Sequence, residues 1–161
     1  MLVSVIIPGY NHAPYLRERI ESVLNQEYPD FEVILLDDCS TDNSAEIMQA
    51  YASGKYNCQG REVRFVANER NSGNTFKQWV KGISLARGEY IWIAESDDVA
   101  EPSFLRECMA RLLANPDAVV AFTWSHMIDQ ESKILDYSWD NPFRLNGGDD
   151  EGFGVTSRII T

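Results

Sequence analysis

Val3-Ser4-Val5-Ile6-Ile7-Pro8 is a short, nearly all-apolar run, the pattern of a strand buried on both faces. Directly after it Leu16, Ile20, Val23 and Leu24 recur at helical spacing, with Pro14 suited to a first turn. This strand-then-helix unit repeats along the chain. Phe31 to Leu36 reads as a second strand, and Asn43 with Glu46 three residues on resembles a capping box opening a helix through about Tyr51. Val63 to Ala67 gives a third strand, and Phe76, Val80, Ile83 and Ala86 mark a third helix. Tyr90 to Ala94 is a fourth strand, and Pro102 starts a helix carrying Leu105, Cys108, Met109 and Leu112 on one side. Val119 to Phe122 closes the series as a fifth strand. Such alternation predicts an α/β fold with a Rossmann-like, mostly parallel sheet and helices on both faces. Beyond Thr123 the regularity fades into a loop-like stretch from Trp139 to Gly154, so residues 1–123 read as the core and 124–161 as the start of a further region, incomplete or partly mobile.

A length of 161 residues fits one domain, and 44% hydrophobic with 24% charged residues is ordinary globular composition. The 14 Lys and Arg against 25 Asp and Glu leave a net charge of -11, which argues against nucleic acid as a partner. On charge alone the acidic balance reads as a means of solubility; an acidic protein that handles a phosphorylated ligand would need a divalent cation between the two. Cys39, Cys58 and Cys108 are odd in number and show no C-x-x-C spacing, so they read as free thiols of a reducing compartment. The first strand reaches Pro8 and Gly9 without a basic leader, and no apolar run approaches the ~18 residues of a membrane span. A cytoplasmic location is the expectation.

In open parallel sheets, ligands bind beyond the carboxyl ends of the strands, and polar residues gather at those ends here. They are Pro8-Gly9-Tyr10-Asn11 after the first strand, Asp37-Asp38 after the second, Asn68 after the third and Glu95-Ser96-Asp97-Asp98 after the fourth. No glycine-rich phosphate loop follows any strand. Adjacent carboxylates such as Asp97 and Asp98 are hard oxygen ligands suited to Mg²⁺ or Mn²⁺ shared with a diphosphate. Taken singly, each feature has a plainer reading: a paired Asp as a solvated turn, Tyr10 as a packing ring, Asn11 as a turn residue or cap, Trp79 and Trp92 as packing. His12 and His126 have no partner at metal-site spacing and receive no role. Only the joint placement of the acidic pairs favours a functional crevice.

Ser4-Val5-Ile6-Ile7-Pro8-Gly9-Tyr10-Asn11, Ser22-Val23-Leu24-Asn25-Gln26 and Ile34-Leu35-Leu36-Asp37-Asp38-Cys39-Ser40-Thr41-Asp42 resemble the opening of family 2 glycosyltransferases. Ala86-Arg87-Gly88-Glu89-Tyr90-Ile91 and Glu95-Ser96-Asp97-Asp98 resemble that family's approach to its D-x-D motif, so the likeness spans about residues 3 to 113. It implies a GT-A fold, a nucleotide-diphosphate sugar donor, most readily UDP, and transfer with inversion to a saccharide or lipid-linked acceptor. By match to the motifs, Pro8 and Tyr10 lie against the base with Asn11 beside them, and Asp38 accepts a hydrogen bond from the base. Asp97 falls where the family contacts the ribose, and Asp98, with Asp97 beside it, where it holds Mn²⁺ or Mg²⁺. On this likeness residues 1–123 form the nucleotide-sugar-binding core and 124–161 begin the acceptor side, with peripheral contact to a membrane-bound acceptor at the inner face.

Two positions depart from the family pattern. Glu95 stands where many members have Asp, and Trp79-Val80 stands where members often have Arg-Asn before a Gly-Ile pair. The donor contact of that pair falls instead to Lys77 or Asn74. The base that inverting transfer requires is a downstream carboxylate that the motifs do not match; Asp149, Asp150 and Glu151 are candidates by charge alone. A binding domain or fragment without turnover, lacking that base, is the alternative. A sugar-nucleotide pyrophosphorylase would need a glycine-rich basic loop after the first strand, and a phospho-acceptor signalling domain would carry its paired acids there; this chain has neither.

Overall fold

The computed structural model describes residues 1–135 and 154–158. Strands β1 (Val3–Gly9), β2 (Phe31–Asp37), β3 (Val63–Ala67) and β4 (Tyr90–Ile93) pair in parallel in the order β3-β2-β1-β4. Ile6 on β1 is level with Ile34 on β2 and Ile93 on β4. β1 and β2 are buried along their whole length, and successive side chains go to opposite faces. Val3, Val5, Ile7, Val33 and Leu35 enter the larger core with Leu16 and Ile20 of α1 (Ala13–Leu24), Met48 of α2 (Ser44–Ala52) and Leu105 and Met109 of α4 (Phe104–Ala114). Ile6, Ile34 and Leu36 form a smaller core on the other face with Leu85 of α3 (Thr75–Leu85). The parallel sheet with helices on both faces is as the alternation predicts.

Four local expectations are corrected. Phe76, Val80 and Ile83 do mark α3, but they point outward, Val80 being 67% exposed, while Gln78 and Gly82 are the buried residues. Helical spacing identifies a stripe without saying which way it faces. A Cβ on Gly82 would come within 2.4 Å of Ile6 Cγ2, so the missing side chain is what lets α3 press its backbone onto β1. Val119 to Phe122 is not a strand: Val119 is 95% exposed and Phe122 73% exposed, and among the described residues the run has no pairing neighbour. Instead β6 (Trp124–Ile128) and β5 (Val99–Ala100) flank β7 (Gly154–Arg158), which is parallel to β6 and antiparallel to β5. At α2 the Asn43 side chain makes no capping bond; Asp42 Oδ1 accepts from the Ser44 N–H at 2.9 Å. The fourth helix starts at Phe104, two residues beyond Pro102, whose carbonyl accepts from the Glu27 N–H.

The end of the sheet away from the strand carboxyl ends is held by a buried charge network. Glu32, 1% exposed, accepts from Ser4 Oγ (2.7 Å), from the Arg87 N–H (2.9 Å) and guanidinium (2.6 Å), and from Arg64 (3.0 Å). Burial pushes the Glu32 carboxyl up, but the Ser4 and Arg87 hydrogen bonds outweigh it and hold it below its ordinary value. Gly88 sits against β1, where a Cβ would meet Leu2 O and Ser4 N at 2.7 Å each. The Arg87-Gly88 part of the family-like motif therefore secures the fold. Among the described residues the three cysteines are free and no helix is long and apolar enough to cross a membrane.

Candidate functional site

β1 pairs with β2 on one side and with β4 on the other, so the strand order reverses at β1. Outside the carboxyl ends at that switch point lies a cavity of about 200 Å³ lined by Pro8, Gly9, Tyr10, His12, Asp38, Thr75, Gln78, Glu95 and Ser96. The loops after β1, β2 and β4 and the first turn of α3 thus share one crevice. Pro8, Tyr10 and Asp38 are brought together as the sequence suggests, with Tyr10 44% exposed at the rim. Asp97 is not among the lining residues; its neighbours Glu95 and Ser96 are.

Asp38 is buried and its carboxylate is already engaged. Oδ1 accepts from Asn68 Nδ2 (2.5 Å), the Ser72 N–H (2.8 Å) and Gln78 Nε2 (2.8 Å), and Oδ2 from Ser72 Oγ (2.7 Å). Oδ2 keeps capacity for a further donor. These bonds tie the loops after β2 and β3 to α3 and fix the carboxylate at the cavity wall. The neighbouring Asp37 accepts the Ser40 N–H at 2.9 Å, a turn contact. Gln78, missed by the sequence reading, donates to Asp38 and leaves Oε1 buried without a partner among the described residues.

The other expected nucleotide contacts have structural duties. Asn11, at φ 55°, accepts the Thr41 N–H on Oδ1 at 2.8 Å and so joins the loop after β1 to the loop after β2. Asn74 caps α3, accepting the Phe76 N–H at 2.8 Å, and Lys77 donates to Ser72 O at 2.9 Å. Both lie outside the cavity lining, where Thr75 and Gln78 stand instead. His12, given no role from sequence, lines the cavity with Nδ1 2.5 Å from Ser96 Oγ.

The turn after β4 holds the acidic residues. Glu95 accepts Trp79 Nε1–H at 2.7 Å. Burial raises its carboxyl, the Trp79 bond opposes this, and Asp97 and Asp98 raise it further. Asp97 and Asp98 are half-buried. Among the described residues no group of three or more His, Cys, Asp or Glu side chains is arranged to hold a metal ion. Two adjacent carboxylates are nevertheless a fitting partial donor set for Mg²⁺ or Mn²⁺, an ion whose remaining positions diphosphate oxygens and water would fill. Beneath the turn, Arg19 of α1 is 1% exposed, 5.2 Å from the centre of the Trp92 ring. Burial lowers its guanidinium to about 10, against the pull of Asp98, Asp97 and Glu95, and it remains a cation at neutral pH. Asp149, Asp150 and Glu151 lie outside the described residues.

Residues 4–158 match glycosyl transferase family 2. The chain is 40% identical over 119 residues to the glycosyltransferase GlyG of Streptococcus pneumoniae, across 74% of this chain and 37% of GlyG. It is 33% identical over 135 residues to the putative teichuronic acid biosynthesis glycosyltransferase TuaG of Bacillus subtilis, across 84% of this chain and 51% of TuaG. The crystal structure of Staphylococcus aureus TarS in complex with UDP is similar with a TM-score of 0.66 at 26% identity, covering 86% of this chain and 39% of that one. The chain spans about half or less of the length of these relatives. The likeness bears out the GT-A fold expected from the motifs.

Proposed function

The chain belongs to glycosyl transferase family 2, and on that premise we propose that its cavity binds the nucleotide of a nucleotide-diphosphate sugar, UDP foremost, whose sugar passes to an acceptor hydroxyl with inversion. The observation that carries this reading is the convergence of Pro8, Tyr10, Asp38 and Glu95 on one cavity at the point where the strand order reverses. Tyr10 and Pro8 offer a face for the base, and Asp38 Oδ2 an acceptor for its imide N–H. Asp97, next to the lining residue Ser96, takes the ribose hydroxyls. The UDP held by the TarS relative supports the choice of base.

In the transfer the acceptor oxygen bonds to the anomeric carbon, the bond from that carbon to the diphosphate breaks, and a base takes the acceptor proton. Asp149, Asp150 and Glu151 remain the candidates for that base. A divalent cation held by Asp98, with Asp97 beside it, would offset charge on the departing diphosphate. We assign residues 1–123 to donor binding and 124–161 to the start of the acceptor side. The acceptor is a saccharide or a lipid-linked acceptor, met in the cytoplasm at the inner membrane face. Calorimetric titration with UDP, GDP and CDP, each in Mn²⁺ and in EDTA, tests the reading. UDP is expected to bind best and only with Mn²⁺; no binding by any of the three would overturn it.

A further inference from the structure

Arg19 is one of the largest fully buried side chains of the protein, at 1% exposure, and among the described residues its Nε and Nη1 have no hydrogen-bond partner. An arginine buried this deeply normally pairs with a carboxylate, because a desolvated lone cation is costly. Its surroundings among the described residues are an aromatic ring and the acidic turn. The guanidinium rests over Trp92 of β4 at 5.2 Å, and β4 leads directly into Glu95-Ser96-Asp97-Asp98. Ser22, one helical turn further along α1, accepts the N–H of Ala100 at 3.3 Å, on the β5 segment that leaves the same acidic turn. α1 thus touches both strands that flank the turn, β4 through Arg19 and β5 through Ser22.

We infer that Arg19 is a built-in counter-cation of the acidic turn, one that keeps Glu95, Asp97 and Asp98 from holding a divalent cation by themselves and so makes cation binding depend on an incoming diphosphate. The inference rests on the reading of the cavity as a nucleotide-diphosphate site. A fixed positive charge behind the turn offsets one of its three negative charges and repels a second cation approaching from the cavity side. Two further negative phosphate groups reverse that balance. The acidic turn lacks a three-ligand group among the described residues, so it is short of both charge and ligands until a diphosphate arrives. The guanidinium is not a ligand in this scheme; it is a positioning and charge-setting residue.

The test is titration of Mn²⁺ alone, read by the electron paramagnetic resonance of free Mn²⁺, on wild type, Arg19→Met and Arg19→Lys, repeated with UDP. Wild type should bind Mn²⁺ weakly alone and at least about tenfold more tightly with UDP. Arg19→Met should bind Mn²⁺ alone on the order of tenfold more tightly than wild type, and Arg19→Lys should stay near wild type because it keeps the charge. Arg19→Met should melt lower than wild type, since it leaves the carboxylates of the turn without their counter-charge, so the titrations are run at a temperature where circular dichroism reports a folded protein. Unchanged Mn²⁺ affinity in folded Arg19→Met, Arg19→Lys behaving like Arg19→Met, or an Arg19→Met that melts as high as wild type would each overturn the inference. Such a result with UDP binding intact defeats the role of Arg19 alone, whereas absence of UDP binding in every condition defeats the donor-site reading.

Discussion

Trp79 donates its indole N–H to Glu95 at 2.7 Å, so the two positions at which the chain departs from the family pattern are in contact with each other. The indole also meets Phe76 edge-on, ring centres 4.8 Å apart. Glu95 is thereby held at the cavity wall with one oxygen committed to the protein. Trp79→Phe is expected to cost about 1.5 kcal/mol, the low end for a hydrogen bond to a charged group, because Glu95 is only half-buried. In a Glu95→Ala background the same change should cost much less. Urea denaturation of the four proteins measures the coupling; equal costs in both backgrounds would assign Trp79 to packing alone.

Asp38→Asn tests the base contact. The substitution turns an amide toward a position facing the imide N–H and should weaken UDP binding by about 1.5–3 kcal/mol, roughly tenfold to a hundredfold. Because Asp38 also gathers Asn68, Ser72 and Gln78, the variant should melt lower than wild type. Calorimetry at a temperature where circular dichroism reports a folded protein separates the two effects, and unchanged UDP affinity there would remove Asp38 from the base site.

The parts of the fold legible in the sequence are those whose residues have little choice. Val3 to Gly9 and Phe31 to Asp37 are covered on both faces, and near-continuous apolar runs announce such strands without knowledge of what covers them. β5 to β7 gave no such signal: β5 has two residues, and the partner of both β5 and β6 is β7, far along the chain. The direction of α3 was hidden because it depends on Gly82 meeting Ile6 and Gln78 meeting Asp38, contacts that periodicity does not encode. Tyr10 and Asp38 were readable as strand-end residues. Arg19 was not, since in sequence it is one more charge on a helix and only the packing of Trp92 reveals its burial.

Glu32→Gln should destabilise the protein by about 2–3 kcal/mol at pH 7, below the full cost of breaking a buried pair because Arg64 and Arg87 are 33% and 52% exposed and can turn to water. The pH dependence has a definite sign. The folded-state carboxyl lies below its ordinary value, so its stabilisation is fully present above the unfolded pKa of about 4.3 and is lost as pH falls through the lower folded value. The gap between wild type and Glu32→Gln in denaturant melts should hold from pH 7 to pH 5 and close below pH 4. A gap independent of pH would mean that the carboxylate charge is not what Ser4 and Arg87 stabilise.

Gly88→Ala should cost at least about 2 kcal/mol, because the new Cβ would meet the backbone of Leu2 and Ser4 at 2.7 Å, and strand backbone cannot yield as a flexible side chain can. Thermal melts check it; a variant as stable as wild type would mean that the loop before β4 moves freely away from β1.

Asp98→Ala bears most directly on the proposed chemistry. Two phosphates beside Glu95, Asp97 and Asp98 face like charges, and a divalent cation must compensate for diphosphate to bind there. With Asp98 as its principal protein ligand and Asp97 turned to the ribose, such an ion should be lost from the site when Asp98 is removed. Asp98→Ala is therefore expected to abolish the Mn²⁺-dependent part of UDP binding, and Asp97→Ala to weaken binding less, through the ribose. Stability should fall by no more than about 1 kcal/mol, since Asp98 is half-buried and Glu95 and Asp97 remain to face Arg19. The measurement is calorimetric titration of UDP into wild type and both variants, in Mn²⁺ and in EDTA. Equal wild-type affinity in the two buffers would make the acidic turn a solvated loop. UDP affinity that depends on Mn²⁺ but survives in Asp98→Ala would move the ion to other ligands, with Asp97 and Glu95 the nearest oxygen donors on the same turn.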